Sequence, residues 1–262
     1  MNSRVISPGM ARPDYGIDAP GVRRGMLLAG CVGVAVACVA EFGGALGSLS
    51  PWIFGVGLVI AAYGLFMGSY MTYGSRIGKL RGRERLLDLV GELRPWSGGE
   101  AVLDVGCGRG LMLVGAARRL TTGLAVGIDL WRAEDQADNT PQAAQENARR
   151  EGVLDRVRID TGDARQLPYG DGSFDLVMSH WVVHNLAQAA DREQVLEEML
   201  RVLRPGGVLV LADIANIPQY RTYLLSKGVT GLRFIDGGAE AAIMGALSGG
   251  SYRPQALLSL RP

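Results

Sequence analysis

Two kinds of hydrophobic order divide this chain. From Met26 to Tyr73 apolar residues run almost without a break, with no Lys or Arg and with Glu41 as the only acid. Beyond about residue 100, short apolar runs alternate with charged, helix-like stretches. The first pattern is that of a segment apolar on every side. The second is that of an ordinary folded domain.

The apolar stretch is broken by "SLSP", Ser48 to Pro51, into Met26–Gly47 and Trp52–Tyr73, each of about 22 residues. At a rise of 1.5 Å per residue such a helix reaches about 33 Å, enough for a hydrocarbon core ~30 Å thick. A buried hairpin in a soluble protein would share this composition, but two tandem segments of this length favour two membrane spans. Arg4, Arg12, Arg23 and Arg24 precede the first span; Arg76, Lys79, Arg81, Arg83 and Arg85 follow the second; the connecting turn carries no Lys or Arg. The positive-inside rule then puts both flanks in the cytoplasm. On this reading the protein is integral to the cytoplasmic membrane and contacts the lipid bilayer, with "SRIGKLRGRERL" against anionic headgroups. The expected organisation is a tail over 1–25, the hairpin over 26–73, a basic linker over 74–85 and a second domain over 86–262. "LAGC" (Leu28 to Cys31) and "RRGMLL" imitate export signals, but Met26–Ala29 is too short for a signal peptide's apolar region. Gly43/Gly47 and Gly64/Gly68 have the spacing that permits close helix contact, so the hairpin could pack on itself or form a homodimer. Glu41, near the outer end, suits snorkelling or a helix-to-helix hydrogen bond.

In the second pattern, strands are expected at Ala101–Val105, Ala125–Asp129, Val157–Thr161, Phe174–Ser179 and Val208–Ala212. Helices fall between them at Gly110–Leu120, Thr140–Glu151 and Asp191–Leu203. Alternation of this kind predicts an α/β domain with a parallel sheet covered on both faces. The first strand runs into "VLDVGCGRG", whose glycines at 106, 108 and 110 let a ligand approach the backbone. The spacing is Asp-x-Gly-x-Gly-x-Gly, and Leu111 disfavours the Gly-x-Gly-x-x-Gly of a dinucleotide-binding oxidoreductase. Asp129 ends the second strand 23 residues after Gly106, where an acid can accept both hydroxyls of a ribose. "TGDARQLP" puts Asp163 at the end of the third strand, and "EEMLRVLRPGGVLVLAD" adds a helix, a turn and a fifth strand.

With these motifs in hand, residues from about 85 to 262 resemble class I S-adenosylmethionine-dependent methyltransferases, nearest to the small-molecule branch that includes quinone-biosynthesis C-methyltransferases. The resemblance implies a Rossmann-like seven-stranded sheet with the last strand antiparallel, for which Leu232–Asp236 and Gln255–Leu260 supply the final two strands. It implies S-adenosyl-L-methionine as cofactor, with Asp104, Gly106, Cys107, Gly108 and Gly110 around its methionine part. Asp129 would hold the ribose, Leu130 would pack on the adenosine, and Asp163 with Ala164 would contact adenine; Ser179 joins this cofactor set. Three departures stand out. The loop 130–141 carries Glu134, Asp135 and Asp138, "GGAEAAIMGALSGG" is an apolar insert before the last strand, and the hairpin is expected to replace the amino-terminal helices that often cap the acceptor site.

Methyl transfer from a sulfonium needs alignment and exclusion of water more than it needs a metal. The two histidines, His180 and His184 in "SHWVVHNL", lie at the carboxyl end of the fourth strand, where ligands of open α/β sheets bind. No carboxylate separates them as in a His-Glu-x-x-His zinc site, so they are read as pocket wall, acceptor contact or general base, with no metal. Trp181 reads as core or pocket lining, and Asp175, at the strand's beginning, as structural. Three cysteines give no disulfide framework, and 27 Lys plus Arg against 26 Asp plus Glu give no field for nucleic acid. The expected function is transfer of a methyl group to a small, lipophilic acceptor at the cytoplasmic membrane face. The alternative is a non-catalytic membrane scaffold or sensor that binds S-adenosylmethionine.

Overall fold

The computed structural model describes residues 12–43, 47–132, 139–250 and 252–261, with Glu240 described by its backbone alone. The chain divides into two compact units, Tyr15–Gly82 and Arg83–Pro262, the latter joined by residues 12–14.

The first unit is a helical hairpin, α1 (Pro20–Phe42) and α2 (Ser50–Tyr73), linked through a short turn at Gly47–Leu49. Pro20 and Pro51 sit in the opening turns, where an N–H has no helical partner to lose. Burial here is inverted relative to a water-soluble core. The buried residues are Gly30, Gly33, Ala37 and Ala40 on α1 and Gly57, Ala61, Gly64, Met67 and Gly68 on α2. Large apolar side chains such as Leu28, Val32, Trp52, Val59 and Phe66 are exposed. The small residues let the backbones touch: a Cβ on Gly33 would lie 2.5 Å from the Ala61 nitrogen, and one on Gly57 2.7 Å from that of Ala37. Gly64 and Gly68 belong to this contact, as their spacing predicts. Gly43 and Gly47 do not, because α1 ends at Phe42; a Cβ on Gly43 would face the Val39 carbonyl of its own helix, and one on Gly47 would meet nothing within 4 Å. The hairpin packs on itself through its glycines.

The stretch expected to be a basic linker is helical. A π-helical turn, Gly74–Gly78, leads into α3 (Lys79–Leu93). Lys79 is buried and donates to the carbonyls of Tyr15 and Gly16 at 2.7 Å and to Asp18 at 3.3 Å. Arg83 is buried as well, paired with Glu84 and Glu151. Of the basic residues assigned to headgroups, Arg76, Arg81 and Arg85 are the exposed ones. The α/β unit has an amino-terminal helix of its own, since α3 places Leu87 and Val90 in its core.

The second unit is built on a seven-stranded sheet of order β3-β2-β1-β4-β5-β7-β6. Its strands are β1 (Ala101–Val105), β2 (Leu124–Asp129), β3 (Val157–Thr161), β4 (Phe174–His180), β5 (Leu203–Asp213), β6 (Arg233–Asp236) and β7 (Gln255–Leu260). β1 to β5 pair in parallel, and β7 runs antiparallel to β5 and β6. Helices α4 (Leu111–Ala117), α5 (Pro141–Arg150), α6 (Ala189–Val202), α7 (Ile217–Ser226) and α8 (Gly238–Leu247) complete the unit. Alternate residues of each strand feed two cores. Val102, Leu176 and Val208 pack with α3, α4 and α5, whereas Leu103, Val177 and Leu209 pack with α6 and α7. The apolar insert before the last strand is α8. Asp175 is structural as expected: it is buried and accepts from Arg94, Arg204 and the Ala101 N–H.

The hairpin contact is tested by one glycine and its control. Gly57→Leu forces α1 and α2 apart by about 2 Å or more, seen as a longer distance between spin labels at Val39→Cys and Val56→Cys with Cys31 and Cys38 replaced by serine. Gly55→Leu, where an added Cβ meets nothing within 4 Å, leaves the distance unchanged.

Candidate active site

β1 runs into a turn in which Gly106, Gly108 and Gly110 have φ of 72°, 51° and 82°, the left-handed region that costs glycine least. The Gly106 and Cys107 N–H groups both donate to the Ile128 carbonyl, at 2.8 and 3.2 Å, which folds the turn over the end of β2. Cys107 turns its side chain inward beside Gly127, and burial pushes its thiol well above the ordinary range, so only its backbone can meet a ligand. Asp104 lies beneath the turn rather than open to it. It is 2% exposed, accepts from the Leu113 N–H at 2.8 Å, and is pushed by burial to a pKa of about 7, with the Asp129 charge adding to the rise.

Asp129 ties the rim together. Its Oδ2 accepts from the Gly108 N–H at 2.8 Å and its Oδ1 from the Trp131 N–H at 2.7 Å, with the Asn139 amide at 3.4 Å. Trp131 takes a left-handed φ of 59° and its indole N–H donates to Thr161 at the end of β3. Leu130 is 42% exposed beside it. Asp163 is clasped by Arg165, whose guanidinium holds the carboxyl below its usual range, and Ala164 packs against the sheet's second core. Glu134, Asp135 and Asp138 of the following loop lie outside the described residues.

At the end of β4, Ser179 sits between Val105 and Leu211 of its neighbouring strands, and its hydroxyl is buried without a hydrogen-bond partner among the described residues. His180 stacks on Trp181, with ring centroids 4.9 Å apart. His184 turns elsewhere. In a short helical turn at Val183–Asn185, its N–H donates to Asp213 Oδ2 at 3.0 Å and its Nδ1 lies 2.5 Å from Asp213 Oδ1. Asp213 is fully buried and also accepts from the Ile214 N–H and the Tyr220 hydroxyl. A carboxylate on Nδ1 fixes that nitrogen as the donor and leaves Nε2 as the acceptor. The two histidines therefore part: one stacks on an aromatic ring, the other joins an acid. Between them Val182 packs onto Gly106, where an added Cβ would sit 2.4 Å from its methyl groups, so the histidine loop and the glycine turn are neighbours.

These residues fit a nucleoside with a cationic tail. The glycine turn presents backbone without side chains beyond it, Asp129 stands one strand away, and the Ser179 hydroxyl has no partner among the described residues. Residues 103–211 match the model of the family described as "Methyltransferase domain". Residues 103–211 thus carry the sequence pattern of a methyltransferase domain. The chain is 41% identical to methyltransferase GfsG of Streptomyces halstedii over 131 residues, covering 50% of this chain and 44% of that protein. It is 35% identical to 27-O-demethylrifamycin SV methyltransferase of Amycolatopsis mediterranei over 138 residues, covering 52% and 46%. The chain thus spans less than half the length of these relatives. Among solved structures, geranyl diphosphate C-methyltransferase from Streptomyces coelicolor, in complex with S-adenosyl-L-homocysteine, has a TM-score of 0.54 at 18% identity. That match covers 70% of this chain and 79% of the other, and is a likeness of fold.

The sequence reading singled out His184 but missed the partner that gives it a direction. Asp213 closes "LVLAD", and an acid at the carboxyl end of a parallel strand is the signal that could have found it. Asn139 and Tyr220 have no such signal, because their partners come from distant segments.

Asp104 makes the methyltransferase domain's stability depend on pH. Its folded value of about 7 lies above the ordinary 3.8, so the unfolded chain ionises first and stability falls as pH rises from about 4 to about 7. Asp104→Asn should flatten that slope in chemical denaturation of the cofactor-free protein; an unchanged slope would show that Asp104 is not its source.

Proposed function

We propose that the protein is a membrane-anchored methyltransferase acting at the cytoplasmic face on a small, lipophilic acceptor that carries a hydroxyl group. The single observation behind the hydroxyl is the His184–Asp213 pair. A thiolate acceptor would need no such base, whereas a hydroxyl must lose a proton as its oxygen gains the methyl group. Asp213 orients His184 through Nδ1, which leaves Nε2 to take that proton, and the buried carboxylate stabilises the imidazolium that results. The name of the rifamycin relative points to an oxygen acceptor. The resemblance to quinone-biosynthesis C-methyltransferases extends the same chemistry to a ring carbon, since removing a phenolic proton makes the adjacent carbon nucleophilic.

Bound S-adenosylmethionine supplies the activated methyl group. In this reading the backbones of Gly106, Cys107, Gly108 and Gly110 hold its methionine part, and the buried Asp104 supports the turn from beneath through the Leu113 N–H. Asp129 accepts from the ribose hydroxyls, Leu130 packs on the adenosine, and Asp163 with Ala164 borders the adenine. The Ser179 hydroxyl takes the ligand as the hydrogen-bond partner that the described residues do not provide. His180 lines the acceptor side.

The membrane part of the reading rests on the inverted burial of the hairpin. A hairpin that buries glycine and exposes Trp, Phe, Val and Leu would be costly in water, whereas in lipid it pairs backbones closely and presents apolar surface to acyl chains. Arg23, Arg24, Arg76 and Arg81 lie at the ends away from the connecting turn, which suits cytoplasmic flanks. The glycine faces are occupied within the hairpin, so a homodimer would use the outward side chains.

Two measurements test the proposal. His184→Ala should lower turnover on the native acceptor by about 10²–10⁴-fold, with S-adenosylmethionine affinity unchanged by calorimetry; Asp213→Asn should follow it, and full activity in both would remove the base. After alkaline carbonate extraction the full chain should stay in the membrane pellet, and release into the supernatant would rule out spanning helices.

A further inference from the structure

Directly after β4 the chain makes a turn that tryptophan seldom makes. Trp181 has a φ of 59°, where Cβ crowds the following carbonyl and where glycine would sit without strain. The conformation is locked, because the Trp181 N–H donates to the Ala212 carbonyl at 2.9 Å. Ala212 immediately precedes Asp213, so the turn that carries the indole is fastened beside the acid that holds His184. Reversing the backbone at this point takes the indole out of the alternation of β4 side chains. It brings the ring against His180 on one strand end and against Tyr252, which meets it edge-on at 5.8 Å and 86°. Trp181 is only partly buried. Tyr252 in turn follows α8, after Gly249 and Gly250 with φ of 63° and 84°. A bulky aromatic residue kept in a glycine conformation is backbone strain, and here it falls at the carboxyl end of β4, the end of the strands where open α/β sheets bind ligands.

We propose that Trp181 and Tyr252 form an aromatic subsite that takes a planar, unsaturated ring of the acceptor and presents its hydroxyl to His184. This rests on the methyltransferase reading above and adds the class of acceptor: a phenol or a hydroxylated fused ring rather than an aliphatic alcohol. Three rings, His180, Trp181 and Tyr252, already meet at this corner in stacked and edge-on geometry. A fourth planar ring gains the same face and edge contacts, which depend on a flat π surface. A puckered saturated ring of equal size keeps the burial of apolar surface and loses those contacts.

The test uses the full chain in lipid nanodiscs loaded with S-adenosylhomocysteine, with empty nanodiscs subtracted. The probes are naphthol and its saturated counterpart decahydronaphthol, with binding measured by calorimetry. Wild type should bind naphthol about tenfold more tightly than the saturated alcohol. Trp181→Gly, which removes the ring while suiting the left-handed turn, should reduce the preference to about twofold or less, with S-adenosylhomocysteine affinity unchanged. Tyr252→Leu, which leaves the turn untouched, should reduce it in the same direction and guards against misfolding of the first variant. Equal binding of the two alcohols by wild type, binding of neither, or a preference that survives both substitutions overturns the subsite. Naphthol preference that depends on Trp181 while S-adenosylhomocysteine does not bind would instead defeat the cofactor reading and leave the aromatic subsite standing.

Discussion

Asp213 is a carboxylate with no access to solvent, and a buried charge survives only where hydrogen bonds replace its water. Four donors do so here: the N–H and ring of His184, the N–H of Ile214 and the hydroxyl of Tyr220. They come from three local structures, so satisfying one acid fixes the loop after β4, the turn after β5 and the packing of α7 at once. The side chain of His184 is aimed by the same requirement. Were Asp213 replaced by an apolar residue, the loop would lose its reason to coil and Val182 its seat against Gly106.

That seat matters because of the strand order. β1 and β4 are neighbours, yet their connections leave in opposite directions along the sheet, toward β2 and toward β5. The crevice that opens at such a reversal is where α/β sheets bind ligands. Gly106 follows β1 and Val182 follows β4, so their contact sets the floor of the crevice. The Asp129 rim stands on one side and the His184–Asp213 pair on the other.

Most of the sheet was legible because β1, β2 and the body of β5 are short apolar runs ended by a glycine or an acid. β1, β3 and β7 lie at the expected residues, and the others shift or lengthen at their ends; β5 extends back to Leu203 because Gly206 and Gly207 bond to Arg261. The glycine turn and Asp129 were legible for the same reason, being local and closely spaced. What sequence could not supply were partnerships across long separations. Asp104 looked like an open ligand contact and is buried under Leu113. Lys79 and Arg83 looked like headgroup contacts and are spent inside the protein. Charge composition counts such residues alike, whereas burial separates them. In the hairpin the four-residue glycine spacing marked Gly64 and Gly68 rightly but also Gly43 and Gly47, since a spacing rule is blind to where the helix stops.

The two units invert the relation between the size of a residue and its replaceability. In the methyltransferase domain the positions that resist change are filled by large side chains such as Leu103 and Met178, which a smaller residue would leave as voids. In the hairpin the positions that resist change are the smallest, Gly33, Gly57 and Gly64, while Leu28, Val32 and Val59 can give way to other apolar residues. One chain therefore holds two opposite rules of substitution, and a glycine exchanged for alanine is trivial on the outer face of the hairpin and disruptive on the inner one.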